Sequence, residues 1–409
     1  MQAEASSDIS VSISESDSSY FLTKLESASK RIRRTKRRIR SARSSESDSS
    51  NETMHSLPPS TSDCDVDFLK SLGIDYNEVY HPSPMEILNM IYEDIDIFGP
   101  LTDDQKLDME RLQECLTFNS SIAEIMEDEA DIVQNADGDI FFPDLENDME
   151  NLSSTSLQRA EDFLVKVQLM ISCQVAFLNG LAENEVPVDM FVNILEAFSN
   201  MCHILPVPGS AFKSKKIIRN VPVTSSPHMV LIPWKNRLIP FAEEAACIVT
   251  VALVQKEKQI KLSQEKWMNT APTKDVKHSS DCQSEVSHEP TIFEKVHGNI
   301  LGRHGSELLI NEHSYGSILS KGRILKYLPG IICIGTEVIF TLLKITSSHL
   351  SELKTKSKIF RQQTEATIYY SEPKDFLRKV DRDILIEAFI RLNNICQINK
   401  LAVLEEDEI

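Results

Sequence analysis

Nine cations lie within fourteen residues near the start of the chain: Lys30, Arg31, Arg33, Arg34, Lys36, Arg37, Arg38, Arg40 and Arg43, with no acid among them. The chemistry open to such a run is binding rather than catalysis. An import receptor grips extended Lys and Arg side chains, so the block reads first as a nuclear-targeting signal. Non-specific contact with duplex nucleic acid is the second reading. It would be salt-sensitive and blind to sequence, because each neutralised phosphate releases counterions. No aromatic side chain interleaves the cations, which argues against stacking on single strands. Ser12, Ser14, Ser45 and Ser49 flank the block, and each has an acid three residues on. That pattern resembles the substrates of acidophilic kinases, and each phosphate would add about −1.5 to −2 charges beside the cations. Ser83 and Ser226 each precede a proline, which marks Ser83 as a further candidate phosphorylation site.

Two short patterns suggest docking to a protein. Leu88, Ile91 and Glu93 read Leu-x-x-Ile-x-Glu, followed by Asp94 and Asp96. Leu401, Leu404 and Glu406 repeat the form, followed by Asp407 and Glu408. Both resemble the docking peptide read by a regulatory subunit of type-2A protein phosphatase, where two apolar anchors fill pockets and acids meet a basic groove. This composition yields roughly one such match by chance.

Signatures of catalysis are missing. His278, Cys282, His288, His297, His304 and His313 fall within 36 residues. Their spacing is irregular and a single cysteine takes part, so they read as a polar linker and no metal is expected. Gly298, Gly302 and Gly305 are not followed by the Lys-Ser/Thr of a phosphate loop. No Gly-x-Ser-x-Gly elbow and no His-Glu-x-x-His is present, so no catalytic residue and no cofactor is expected.

The charge that surrounds these motifs is divided into blocks. Residues 1–63 carry a net +1, residues 64–156 a net −21 and residues 157–409 a net +1. Eight cysteines stand far apart without a C-x-x-C pair, and the serine-rich, acidic start does not read as a signal peptide. A reducing compartment follows: the nucleus, with shuttling to the cytoplasm. The longest apolar stretch, Leu328 to Leu343, contains Pro329, Gly330, Gly335 and Glu337. It falls short of the roughly 20 apolar residues of a membrane helix, so no membrane span is expected and the stretch reads as core.

The elements that must position these residues follow from periodicity. Residues 1–63 are too polar to offset the entropy of ordering and read as a disordered Ser/Arg-rich tail. Residues 64–152 form an acidic-hydrophobic, partly ordered arm, with helices over 85–95 and 103–118. Phe141, Phe142 and Leu145 make an apolar knot among acids and serve as candidate docking anchors. The body spans 153–409. A helix starts at Ser153 and stops at Asn179-Gly180, and a second opens at Pro187. Short strands over Ile217–Val223 and Met229–Trp234 suggest a hairpin. A third helix is expected from Pro240 through Ala252 and Leu253 to Lys261, and residues 263–290 form a flexible polar insertion. Ile318–Leu328 and Ile331–Ile345 read as buried helices. Glu372-Pro373 opens the last one, whose face includes Phe376, Leu377, Leu385 and Phe389. The expected fold is therefore mainly α: a helical-bundle body with a short β-hairpin near 217–234.

These features point to a nuclear, non-enzymatic adaptor or scaffold that binds protein partners, in a setting such as cell-cycle, chromosome or germline regulation. The alternative is a transcriptional co-regulator that uses 64–152 as an activation region, anchored by Phe68, Leu69, Phe141, Phe142 and Leu145. Expected partners are an import receptor, an unidentified protein and, through the short docking patterns, a phosphatase regulatory subunit.

Overall fold

The computed structural model describes residues 58–93, 101–116, 122–123, 154–182, 186–233, 249–254, 290–314, 318–320, 323–354 and 366–406. In chain order the elements are α1 (Val66–Ser71), β1 (Asp75–Tyr76), α2 (Pro84–Glu93), α3 (Asp103–Cys115), α4 (Ser154–Leu178), α5 (Val188–Met201), β2 (Ile204–Pro208), β3 (Ser214–Ile218), β4 (Val221–Ser225), β5 (Met229–Pro233) and β6 (Val249–Val254). There follow α6 (Ile292–Lys295), α7 (Gly298–Ile310), β7 (Ile318–Ser320), β8 (Arg323–Ile334), β9 (Glu337–Thr346), α8 (Ser347–Lys354), β10 (Ala366–Tyr370), β11 (Lys374–Asp375) and α9 (Lys379–Glu406).

The body is not a helical bundle. Its centre is a nine-stranded mixed sheet in the order β1-β10-β9-β8-β6-β5-β2, with β11 beside β9 and β7 beside β8. β1 runs parallel to β10 and β6 parallel to β8; the other neighbours are antiparallel. The residues expected to form two helices, 318–328 and 331–345, form β7, β8 and β9 instead. The reason is visible in their side chains. Leu325, Tyr327, Ile331 and Cys333 enter one core, while Leu328, Ile332 and Ile334 enter the other. A strand covered on both faces loses its polar/apolar alternation and reads as a continuous greasy run, which periodicity alone does not separate from a buried helix. The expected helix after Pro240 is also overturned at its described end, where Val249–Val254 is strand β6, rich in β-branched residues. The hairpin near 217–234 is displaced. β3 and β4 pair with each other, whereas Met229–Pro233 joins the main sheet between β2 and β6.

Helices cover both faces. One core holds residues of α2, α3, α4, α5 and α9, among them Phe163, Phe198 and Phe389, together with Phe340 of β9 and Phe376 from the turn before α9. Phe198 sits 4.6 Å from Phe376 and 5.1 Å from Phe389, ring centre to ring centre. The other core holds residues of α1, α7, α8 and the β3–β4 hairpin. Described parts of the acidic segment thus belong to the body: α1 and β1 lie on the second core, α2 and α3 on the first. The last helix begins later than Pro373 suggests. Lys374–Asp375 pairs with β9 before the chain turns into α9 at Lys379. In that turn the buried guanidinium of Arg382 donates to Phe376 O (2.9 Å), Leu377 O (3.2 Å) and Leu116 O. Lys379 Nζ donates to Gln113 O at 2.9 Å, so two cations meet the carbonyl end of α3 where its dipole is negative.

α1 lies across α7 with almost no gap. A Cβ at Gly302 would overlap the backbone of Asp65, and one at Gly305 would stand 2.5 Å from Leu69 Cδ1. Gly302→Ala therefore reverses the usual helix rule. In an open helix the change stabilises by about 0.5–1 kcal/mol; here backbone must move, at a cost of about 1–3 kcal/mol. The expected outcome is a lower urea midpoint at unchanged slope, and a raised midpoint would contradict the packing.

Candidate functional site

Two places combine unusual chemistry with definite positioning. The first is a polar seam inside the second core, along α7. His304 lies over Gly330, whose missing side chain leaves the room: a Cβ there would stand 2.8 Å from His304 Cε1. His304 Nε2 and the Thr341 hydroxyl share a hydrogen bond of 2.7 Å, and His304 Nδ1 has no partner. One helical turn on, Glu307 is fully buried. Its Oε1 accepts from Arg303 Nε at 2.8 Å, and its Oε2 has no partner. Arg303 also donates to Ser226 O (3.0 Å) and contacts His228 Nε2 (3.2 Å), joining α7 to the loop between β4 and β5.

Burial pushes the Glu307 carboxyl up to about 7, against the pull of Arg303. Burial, aided by His228 and Arg303, pushes His304 down to about 3. The seam has the residue types of acid–base catalysis. However, His304, Ser306 and Glu307 have no exposed surface on which a substrate could reach them. Among the described residues, no three His, Cys, Asp or Glu side chains converge as metal ligands.

The second place is the outer face of α4. Phe163, Leu164, Val167, Met170 and Ile171 are buried, yet Val165 is 60% and Leu169 55% exposed one turn apart. The helix closes at Gly180, and Leu181, just beyond it, is 82% exposed. Cys173 lies half-buried one turn after Leu169. Glu161 and Asp162 are exposed at the N-terminal end of this ridge, and Asp162 pairs with Lys166 at 2.9 Å.

The residues singled out in the sequence are not brought together. The cations Lys30 to Arg40, the serines Ser12, Ser14, Ser45 and Ser49, and Phe141, Phe142 and Leu145 lie outside the described residues. Ser83 stands just before α2, where its hydroxyl accepts from Met85 N at 3.1 Å. Leu88 and Ile91 are fully buried in the first core, so in this fold they are not free to fill a partner's pockets; Glu93 is the last residue of α2. Leu401 and Leu404 lie in the closing turns of α9. His297 caps α7, accepting from Asn299 N at 3.3 Å, and His304 belongs to the core. Val165 and Leu169 were legible as apolar residues off the inward stripe of α4, but an inward stripe alone does not flag them. The sequence matches no protein-family model, and no curated protein matches it.

The seam yields a prediction with a definite sign. Glu307 binds more protons folded than unfolded, so its contribution to stability is present below its ordinary value of 4.5 and is lost as pH rises through about 7. His304 has the opposite sign: its contribution is present above 6.5 and is lost as pH falls toward 3. Between 4.5 and 6.5 the two largely cancel. Glu307→Gln removes one of them. The stability of wild type relative to the variant should grow as pH falls through that window, by up to about 1.4 kcal/mol per pH unit. Urea midpoints at several pH values measure it, and parallel profiles would contradict it.

Proposed function

We propose that this chain is a non-enzymatic nuclear adaptor: the basic block Lys30–Arg43 addresses it, and the α/β body holds a protein partner on the outer face of α4. The observation that carries the reading is the exposure of Val165 and Leu169 on one helix whose opposite face is closed core, with Leu181 exposed just beyond its end. Large aliphatic groups clustered in this way favour a partner over solvent. The backbone edges of the sheet are poorly suited to sheet extension. In the edge strand β2, Leu205 and Val207 face β5, and Gly209 N continues that ladder to His228 O at 3.0 Å. Pro206 and Pro208 then face outward and have no N–H to offer an added strand. The opposite edge, β1, is two residues long, and Thr291 N donates to Glu78 O just beyond it at 3.1 Å.

The burial of His304, Ser306 and Glu307 in the α7 seam supports a non-enzymatic role. The co-regulator alternative is weakened by the burial of Phe68 and Leu69 in the second core, which takes two of its five anchors out of reach. No helix among the described residues is long and apolar enough to cross a membrane.

Two experiments test the reading. In Val165→Asp/Leu169→Asp, melting should stay within about 0.5 kcal/mol of wild type, as for other exposed sites. The proteins that co-purify with wild type from native tissue should be lost. An unchanged set of co-purifying proteins would move the interface elsewhere. Replacing Arg33, Arg34, Arg37 and Arg38 by Ala should abolish nuclear accumulation of a fluorescent fusion without changing its melting, and unchanged imaging would remove the targeting role.

A further inference from the structure

The β3–β4 hairpin carries a surface unlike the α4 ridge. Residues 212–225 contain Lys213, Lys215, Lys216 and Arg219 and no acid. Strand alternation sorts these cations. Lys216 turns inward, where its Nζ lies 3.2 Å from Glu312 Oε1 and donates to Leu309 O at 3.1 Å. Arg219 donates from its guanidinium to Ser71 O. Lys213, Lys215 and Ile217 turn outward and are exposed, Ile217 by 56%. The register sets Ile217 opposite Pro222 and Lys215 opposite Thr224, both exposed as well. Among the described residues, neither Lys213 nor Lys215 has an ion-pair partner.

The ribbon is held in one shape. Its two-residue tip places Arg219 and Asn220 at φ +46° and +64°. Tips of this kind usually carry Asn-Gly, since both positions are left-handed. Here the strain is held from two sides, by Arg219 N donating to Leu353 O at 2.7 Å and by the Arg219 guanidinium on Ser71 O. A surface already fixed in shape loses little entropy when it is occupied.

We propose that the outward face of the β3–β4 hairpin is a docking surface for an acidic peptide that carries an aliphatic side chain. Lys213 and Lys215 supply the charge complementarity, and the Ile217–Pro222 pair supplies the apolar seat. The surroundings favour a peptide over a uniform polyanion. Thr224 N donates to Pro59 O at 3.0 Å, which brings the segment carrying exposed Asp63 and Asp65 alongside β4. An extended duplex or an anionic bilayer would meet those carboxylates, and a short peptide does not have to.

The test uses the full chain and a short fluorescein-labelled peptide of Asp, Glu and Leu, followed by anisotropy. Saturable, salt-sensitive binding is expected. Lys213→Glu/Lys215→Glu should weaken it roughly tenfold or more, as reversal of steering charges does. Ile217→Ala should weaken it by a smaller factor with little change in salt dependence. Both variants should melt as wild type does, because the altered groups are exposed. Val165→Asp/Leu169→Asp should bind the peptide normally, so failure here and failure of the α4 reading are told apart. The proposal is overturned if wild type shows no saturable binding, or if the charge reversal leaves peptide binding unchanged. It is also overturned if that reversal reduces binding of duplex DNA or phosphatidylserine vesicles more than binding of the peptide.

Discussion

The structure depends on one constraint: the central strands are covered on both faces. β8 and β9 send alternate side chains into two separate cores, and their pairing runs from Leu325 opposite Thr346 to Ile334 opposite Glu337. Once both faces are closed, every position along these strands must be apolar or must find a polar partner inside the protein. That requirement sets the helices on either side, and it makes the few polar groups in the middle layers conspicuous.

Those groups are handled in two ways. Thr341 and His304 meet each other above Gly330, with a neutral imidazole that burial keeps from protonating. Glu307 is an acid whose burial is only partly offset by one arginine, and that arginine also fixes the β4–β5 loop. Arg382 solves a similar problem by pointing at carbonyls that the turn before α9 and the end of α3 leave open. Removing one member of such a set exposes the desolvation of the rest, which is why isolated changes there act on stability.

A closed sheet also decides where function has room. With proline on the outward side of β2 and a two-residue strand at the other end of the order, the backbone edges offer little to a partner. Among the described residues, side-chain surface offers an aliphatic ridge on α4 and a cationic ribbon at β3–β4. The two differ in chemistry and stand on different layers, the ridge over the first core and the ribbon over the second.

The sequence by itself determined the charge blocks, the basic run, the start of α4 after Ser153 and its stop at Gly180, and the apolar character of 328–343. Each is local: a cap, a turn residue or a composition is set by neighbours within a few residues. Only the tertiary structure decided that the greasy run is a hairpin rather than helices, because the cause is a second covered face supplied by α7 and α8. It also decided that Leu88 and Ile91 are core, since the helices that bury them lie far away in the chain. The same holds for Gly302, Gly305 and Gly330. Their purpose is to let Asp65, Leu69 and His304 approach, a contact between segments that no local pattern records.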